Sequence, residues 1–380
     1  MQNKRLVMIP GPTPVVRSIQ DQMGRETVAF GDPGFVADFK GVIKDLKTLL
    51  GTTGEVFVIA GSGTLMMEMA IANSLKSGDN LLIVSNGFFG DRFNTFVSQK
   101  GINVDVISAE WGKVVSASEI EAKLKEKSYQ AVTVSHVDTS TGAVAPLDEI
   151  SKVMKNFPDT IFIVDGVAAT AGEREYVDAM GIDILLTGSQ KAFGVAPGLG
   201  MLWASEKAME RRASLGKIPE YYADFDRWLP IMQDPGKYFA TPAVNMIWAL
   251  QESIRIIKEE GIENRYERHV KNANAMRSAL EAMGFSILAE EGNRAVTLSC
   301  VIYPEGFDDL KFRTILAEEG AQVAGGLAAY AGKMFRIGHM GNIDQHDLVS
   351  AVAAIERTLF KMDVDVLGKG LAALQKGLVK

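Results

Sequence analysis

The sequence predicts an α/β fold in which a large domain holds a mainly parallel, seven-stranded sheet sandwiched by helices. The first observation is that strand-like runs alternate with helical apolar spacing between Glu55 and Ala204, a pattern typical of parallel βαβ units. The second is that runs such as residues 161–164 are apolar throughout, as expected of strands covered on both faces. The third is a change of pattern after Trp228, which predicts a smaller α+β domain at the C-terminus.

The alternation defines the elements of the large domain. Strands are predicted at residues 55–60, 80–85, 103–108, 131–135, 160–164, 182–187 and 200–204. Helices are predicted at residues 35–50, 64–76, 88–100, 116–127 and 147–155. The segments that join these strands and helices carry the residues of chemical interest, because ligands gather beyond the carboxyl ends of strands in open parallel sheets.

The C-terminal third has a different organisation. A long helical region runs from about Val244 through Gly261 to Met283. Strands at 294–302 and 334–337 and helices at 308–319 and 344–359 follow it. We therefore divide the chain into an N-terminal arm (1–15), a large domain (16–261) and a small C-terminal domain (262–380).

Composition excludes several classes of function. The 380 residues carry a net charge of -7, which disfavours a nucleic-acid or anionic-membrane partner. The single cysteine, Cys300, excludes an internal disulfide, and the four histidines lack a close metal-ligand spacing, so no metal site is expected. No apolar run reaches the ~20 residues of a spanning helix, and the N-terminus lacks a signal-peptide pattern. A cytoplasmic protein is expected.

Two features at strand ends suggest an anion site and a buried charge. Gly61, Ser62 and Gly63 connect a predicted strand directly to a helix, where small residues and free N–H groups favour a phosphate. A tight turn without a ligand is the alternative. Asp165 ends the apolar run 161–164, and a carboxylate there is costly unless it is paired. A helix cap or a salt bridge would also explain it.

Two cationic residues complete the set of candidate site residues. Lys191 follows a buried strand between small residues, where desolvation lowers a lysine pKa and frees the amine for Schiff-base chemistry. Arg336 lies between Phe335 and Ile337 in a short strand, and its guanidinium can bind a carboxylate in a bidentate way. A surface lysine and a structural ion pair are the plain alternatives. Together with the phosphate loop and Asp165, however, these residues meet the requirements of pyridoxal phosphate.

At these positions the sequence resembles the class V aminotransferases of fold type I, and most closely the alanine–glyoxylate and serine–pyruvate aminotransferase family. The resemblance covers nearly the whole chain. It is carried by residues 10–13 (PGPT), 61–63 (GSG), 86–87 (NG), 140–142 (STG), 164–165 (VD), 181–183 (GID), 188–191 (GSQK), 325–327 (GGL) and 336–338 (RIG).

The resemblance implies a role for each matching residue. Ser62, Gly63, Thr64 and Gln190 would hold the phosphate of pyridoxal 5'-phosphate, Phe89 would stack on its ring, and Thr139 would contact its phenolic oxygen. Asp165 would pair with the pyridine nitrogen, and Lys191 would form the internal aldimine. Arg336 and Gly11 would bind the substrate. Tyr238 and Thr241 would reach the phosphate from the other subunit, which implies a homodimer. Phe89 and Thr139 replace the Trp and Ser that are common in relatives.

The expected reaction is a ping-pong transfer of the amino group from alanine or serine to glyoxylate or pyruvate. Aspartate, phosphoserine and ureidoglycine donors remain alternatives. An acidic donor would need a second cation, for which Arg25 and His339 are the visible candidates. Cysteine desulfuration is a further alternative, but Cys300 ends an apolar run and is expected to be a buried structural thiol. A non-catalytic cofactor-binding protein is disfavoured by the presence of both Lys191 and Arg336, and a nicotinamide-dependent dehydrogenase by the missing third glycine after Gly63.

Overall fold

The computed structural model describes residues 5–379. Its strands are β1 (Leu6–Val7), β2 (Glu55–Ala60), β3 (Asn80–Ser85), β4 (Asn103–Ser108), β5 (Ala131–Ser135), β6 (Val137–Asp138), β7 (Ala143–Val144), β8 (Ile161–Asp165), β9 (Ile184–Gly188), β10 (Leu199–Ala204), β11 (Ser286–Ile287), β12 (Leu298–Ile302), β13 (Ala321–Gln322), β14 (Ala324–Gly325) and β15 (Met334–Gly338).

The helices are α1 (Arg17–Met23), α2 (Pro33–Leu49), α3 (Gly63–Ser74), α4 (Phe88–Val97), α5 (Ala117–Leu124), α6 (Leu147–Met154), α7 (Glu206–Ser214), α8 (Phe225–Gln233), α9 (Val244–Glu260), α10 (Ile262–Ala282), α11 (Asp309–Glu318), α12 (Gln345–Phe360) and α13 (Lys369–Val379). A short 3-10 helix covers Ala328–Tyr330. No helix within residues 5–379 is long and apolar enough to cross a membrane.

The main sheet of the described chain has seven strands in the order β2-β10-β9-β8-β5-β3-β4. The predicted mainly parallel sheet is confirmed, with β10 as the exception: it runs antiparallel to both β2 and β9. Two consecutive parallel strands must be joined by a crossover of a dozen or more residues, usually a helix. The connection from β9 to β10 contains no helix, so these two strands pair antiparallel. Strands β5, β8 and β9 are buried at every position, whereas β4 lies at the sheet edge and is partly exposed.

The long helical region predicted from Val244 to Met283 is two helices. Gly261 separates α9 from α10 and adopts a φ of +82°, a conformation that favours glycine over residues with a Cβ. The predicted strand at 294–302 is also shorter, because the backbone N–H of Val296 bonds to the Glu173 carboxylate instead of a neighbouring strand.

The C-terminal part contains a four-stranded antiparallel sheet in the order β11-β12-β15-β14. Its apolar side chains form a second core with those of α10, α11, α12 and α13. Strand β1 pairs with β13, so the N-terminal segment lies against this part of the molecule. The division into arm, large domain and small domain stays a prediction, and residues 1–4 and 380 lie outside the described residues.

Candidate active site

A cavity of about 330 Å³ lies beyond the carboxyl ends of β2, β8 and β9. Nine of the residues singled out from the sequence line it. These residues are Gly11, Ser62, Gly63, Thr64, Phe89, Thr139, Asp165, Gln190 and Lys191. Residues that are distant in sequence therefore meet in one place, as the sheet topology requires.

One wall of the cavity is the start of α3. Ser62 is the N-cap, and its hydroxyl accepts a hydrogen bond from the N–H of Leu65 at 3.3 Å. A Cβ at Gly63 would lie 2.7 Å from Cγ2 of Val167, so only glycine fits without displacing that side chain. The first N–H groups of a helix lack intrahelical acceptors, and they give this wall a partial positive charge.

Asp165 is the last residue of β8, and only 4% of its surface is exposed. Its Oδ1 accepts the N–H of Val167 at 2.9 Å. Among the described residues, Oδ2 has a single hydrogen-bond partner, the Ser135 hydroxyl at 3.5 Å. Burial raises the pKa of Asp165 to about 7, because the ionised carboxylate has lost water and gained few donors.

Lys191 projects into the cavity from the loop between β9 and β10. Its amine donates to the carbonyl of Pro10, and its own carbonyl accepts the Thr13 hydroxyl at 2.8 Å. A Cβ at Gly11 would lie 2.5 Å from Cδ of Lys191, so glycine leaves room for the lysine stem. Burial, and then the nearby Arg336 charge, lower the pKa of Lys191 to about 8.

Arg336 belongs to β15, where it pairs with Cys300 of β12. Its Nη1 donates to the carbonyl of Thr139 at 3.2 Å, and its Nε donates to the carbonyl of Gly325 at 2.8 Å. Arg336 does not line the cavity itself, but Thr139 does. The guanidinium therefore lies directly behind a cavity residue, and burial lowers its pKa.

The aminotransferase class V family model matches residues 34–345. The chain belongs to the class V aminotransferases. The predictions of a transaminase and of pyridoxal 5'-phosphate as its cofactor are therefore confirmed.

Relatives of this aminotransferase match over almost their full length. An uncharacterised aminotransferase of Methanocaldococcus jannaschii is 38% identical, over 99% of this chain and 98% of the relative. Alanine–glyoxylate aminotransferase 1 of Saccharomyces cerevisiae is 33% identical, over 88% and 91%. The solved ureidoglycine–glyoxylate aminotransferase of Bacillus subtilis is 27% identical, with a TM-score of 0.93, over 100% of this chain and 99% of that one. The predicted fold type I architecture is thereby confirmed.

The cavity of this aminotransferase fits the cofactor on chemical grounds. The glycine-lined helix start suits a phosphate, and the Oδ2 of Asp165 has capacity to accept an N–H. The Lys191 amine, with its lowered pKa, is available to hold an aldehyde. No group of three or more His, Cys, Asp or Glu side chains between residues 5 and 379 is arranged to hold a metal ion.

Tyr238 and Thr241 are not brought to this cavity. Both are exposed, Tyr238 by 63%, and neither lines the cavity. The Tyr238 ring packs against Phe30 at a centroid distance of 5.1 Å. Their assignment to a neighbouring subunit's site stays a prediction.

Neither candidate for a second cation lies in position to serve as one. Arg25 is exposed, outside the cavity, and stacks on the Trp248 ring at 3.8 Å. His339 is fully buried between the Ser299 hydroxyl and the Val296 carbonyl, and burial lowers its pKa to about 3. A neutral, buried imidazole cannot pair with a substrate carboxylate.

Two residues near the cavity escaped sequence reasoning. Asp138 is fully buried and accepts the backbone N–H groups of Phe89 and Gly90, so it orients the start of α4. Arg92 lines the cavity and donates to the Thr64 hydroxyl at 3.3 Å. A signal for Arg92 was present: it lies three residues after Phe89, on the same side of a helix.

Proposed function

We propose that this aminotransferase moves the amino group of a small amino acid, alanine or serine, to glyoxylate or pyruvate by a ping-pong mechanism. The observation that carries the proposal is the convergence of Lys191, Asp165 and the α3 start on one cavity, with Arg336 directly behind it. Bound pyridoxal phosphate supplies the electron sink on which transamination depends.

Lys191 would hold the cofactor and then move the proton. Once the amino acid displaces it, the amine is free to take the Cα proton and return a proton on the cofactor side. A pKa of about 8 suits this role, because a base works best when its pKa lies near the working pH. The Pro10 carbonyl, which accepts from the amine, would orient it between the two transfers.

Asp165 would hold a proton on the ring nitrogen of the cofactor. Its Oδ2 is the oxygen with spare capacity, and a cationic partner there would offset the burial that raises its pKa. Val167, whose N–H fixes Oδ1, would keep the carboxylate in orientation.

Arg336 would bind the α-carboxylate that every amino-acid donor carries. Two of its donors are engaged by the Thr139 and Gly325 carbonyls, which fix the guanidinium plane. A guanidinium has five N–H donors, so a bidentate pair with a carboxylate remains available. Gly11, which lines the cavity beside Lys191, would leave room for the substrate.

A small, neutral side chain is favoured because neither Arg25 nor His339 supplies a second charge. Because Arg92 is held at the α3 start by the Thr64 hydroxyl, an aspartate side chain would be left unpaired in the cavity, which is costly. A ureidoglycine donor is the second candidate, supported by the similarity to the solved ureidoglycine–glyoxylate enzyme. Desulfuration is disfavoured because Cys300 is buried, with its pKa raised by burial, and contacts the Thr139 carbonyl.

The test is a comparison of kcat/KM for alanine, serine, ureidoglycine, aspartate and phosphoserine with glyoxylate as acceptor. We expect alanine or serine to exceed both acidic donors by about tenfold or more, equivalent to roughly 1.4 kcal/mol. A tenfold preference for aspartate or phosphoserine would overturn the substrate assignment and leave the reaction type intact.

We also propose a homodimer with shared sites. Tyr238 and Thr241 are exposed, in a turn-rich segment, and are thus available to a second subunit. A fully active monomer by light scattering would contradict this. The cytoplasmic location stays a prediction.

A further inference from the structure

The cavity is lined by an arginine to which the proposed mechanism gives no role. Arg92, in α4, lines the cavity and is half-buried. We propose that Arg92 binds the phosphate end of the cofactor and balances its charge. This role rests on the proposed binding of pyridoxal phosphate in the cavity and adds a residue that recognises its phosphate.

Contacts hold the Arg92 side chain in a defined position. Its Nη1 donates to the Thr64 hydroxyl at 3.3 Å. The guanidinium carbon lies 4.7 Å from the Phe89 ring centroid and 5.5 Å from that of Phe88. Arginine stacks well on aromatic rings, and such packing reduces the entropy lost on binding.

The charge of Arg92 is not compensated by the protein. Over the part of the chain that the structure describes, no carboxylate lies within ion-pair distance of its guanidinium. The neighbouring Asp91 accepts a hydrogen bond from the Ser85 hydroxyl at 2.7 Å. A cation on a cavity wall without a carboxylate partner is well suited to a ligand anion.

The location of Arg92 indicates that the anion it would bind is the cofactor phosphate. Thr64, which holds it, lies in the first turn of α3, where N–H groups and the helix dipole already favour an anion. A phosphate monoester carries about two negative charges near neutral pH, more than a helix start alone offsets. Arg336 is held by Thr139 instead. The two arginines would therefore bind different anions, Arg92 the phosphate and Arg336 the substrate carboxylate.

The test measures equilibrium binding to the cofactor-free full-length chain, with pyridoxal 5'-phosphate and pyridoxal as the two probes. Arg92→Gln should weaken pyridoxal phosphate by about tenfold or more, since a charge-assisted pair is lost. The affinity for pyridoxal, which lacks the phosphate, should change less than about twofold. Arg92→Lys should restore part of the loss, because it keeps the charge without the planar fork.

Two further measurements sharpen the result. Inorganic phosphate, tested as a competitor of pyridoxal phosphate, should have a higher inhibition constant in Arg92→Gln than in the wild type. Raising the ionic strength should reduce the affinity of the wild type for pyridoxal phosphate more than that of the variant. The matched control is Arg174→Gln, which removes another arginine that lies over an aromatic ring, 5.7 Å from Tyr266, and does not line the cavity.

Equal loss for both probes in Arg92→Gln would mean that the arginine only supports the fold of the site, and it would overturn the proposal. Unchanged cofactor affinity with a selective loss of kcat/KM for aspartate would also overturn it, and would assign Arg92 to a substrate side chain.

Ser62→Asp keeps the helix cap but places a negative charge at the α3 start. If Ser62→Asp weakens pyridoxal phosphate and Arg92→Gln does not, the cofactor placement stands and the Arg92 role fails. If neither variant does, the placement fails as well.

Discussion

Two buried carboxylates at neighbouring strand ends, Asp138 of β6 and Asp165 of β8, differ in the number of donors around them. Asp138 accepts four hydrogen bonds, two to each oxygen, from the N–H groups of Phe89, Gly90 and Ser140 and from the Ser140 hydroxyl. Asp165 accepts one at 2.9 Å from Val167 and a long one at 3.5 Å from Ser135.

The difference separates a carboxylate that is held by the surrounding backbone from one that has spare capacity for a ligand. Four donors offset part of the cost of burying Asp138, although burial still raises its pKa above the ordinary value, and they tie the start of α4, and with it Phe89, to this carboxylate. Asp165 is buried without such compensation, and its pKa rises to about 7. The cost of the buried Asp165 charge can therefore be removed either by protonation or by a cationic ligand group.

The largest expected effect comes from the amine that shares the cavity with Asp165. Lys191→Ala should lower the transamination rate by about 10³-fold or more, since it removes the proposed proton carrier. Steady-state kinetics measures the loss, and circular dichroism should show an unchanged fold. The control is Lys152→Ala, an exposed lysine on α6, which should keep full activity. Near-normal turnover in Lys191→Ala would remove Lys191 from the mechanism.

Asp165→Asn tests the carboxylate for which we propose a role in catalysis. We expect kcat to fall by roughly 10²-fold, about 3 kcal/mol, because the amide cannot pair ionically with the cofactor ring. The free energy of unfolding of the cofactor-free chain at neutral pH should not decrease, since no buried charge is lost from a satisfied network. Wild-type kcat in this variant would refute the pairing.

Asp138→Asn tests the carboxylate that the surrounding backbone holds. The amide NH₂ group must face either the N–H groups of Phe89 and Gly90 or the N–H of Ser140, so donors are left without an acceptor. The free energy of unfolding, measured with urea, should fall by about 2 kcal/mol. A variant as stable as the wild type but with a large loss of kcat would reverse the roles of the two carboxylates.

The pH dependence of stability gives the smallest effect and separates cofactor-free from loaded protein. The pKa of Asp165 in the folded chain, about 7, lies above its ordinary value of 3.8. Its contribution to the free energy of unfolding is therefore full below pH 3.8 and is lost as the pH rises through 7. The wild-type chain without cofactor should lose about 1.5 kcal/mol more stability than Asp165→Asn between about pH 5.5 and about pH 7. Adding pyridoxal phosphate should remove this difference; identical pH profiles without cofactor would contradict the assignment.

The sheet, and the meeting of several candidate site residues in one cavity, could be predicted because their signals are local. The strand at 55–60 has an apolar run and ends where a glycine-rich turn begins, and the structure has the same bounds. Asp165 ends one buried strand and Lys191 follows another, and the sheet topology brings both to one edge of the sheet.

What could not be predicted depends on contacts between distant segments. The connection without a helix explains why β10 runs antiparallel to β9, but the insertion of β10 between β9 and β2 depends on contacts with a distant segment. In the sequence Asp138 is an ordinary acidic residue, and its role becomes visible only when the fold brings the first N–H groups of α4 to its carboxylate. The sequence alone leaves His339 as a possible cation, but its complete burial in the structure lowers its pKa and keeps it neutral.

Chemical trapping of the bound cofactor tests the central claim most directly. Treating the cofactor-loaded protein with borohydride, followed by proteolysis and mass spectrometry, fixes a phosphopyridoxyl group on the lysine that holds the cofactor. We expect the modified peptide to contain Lys191, and we expect Lys191→Ala to yield no modified peptide. A phosphopyridoxyl group on any other lysine would contradict the claim.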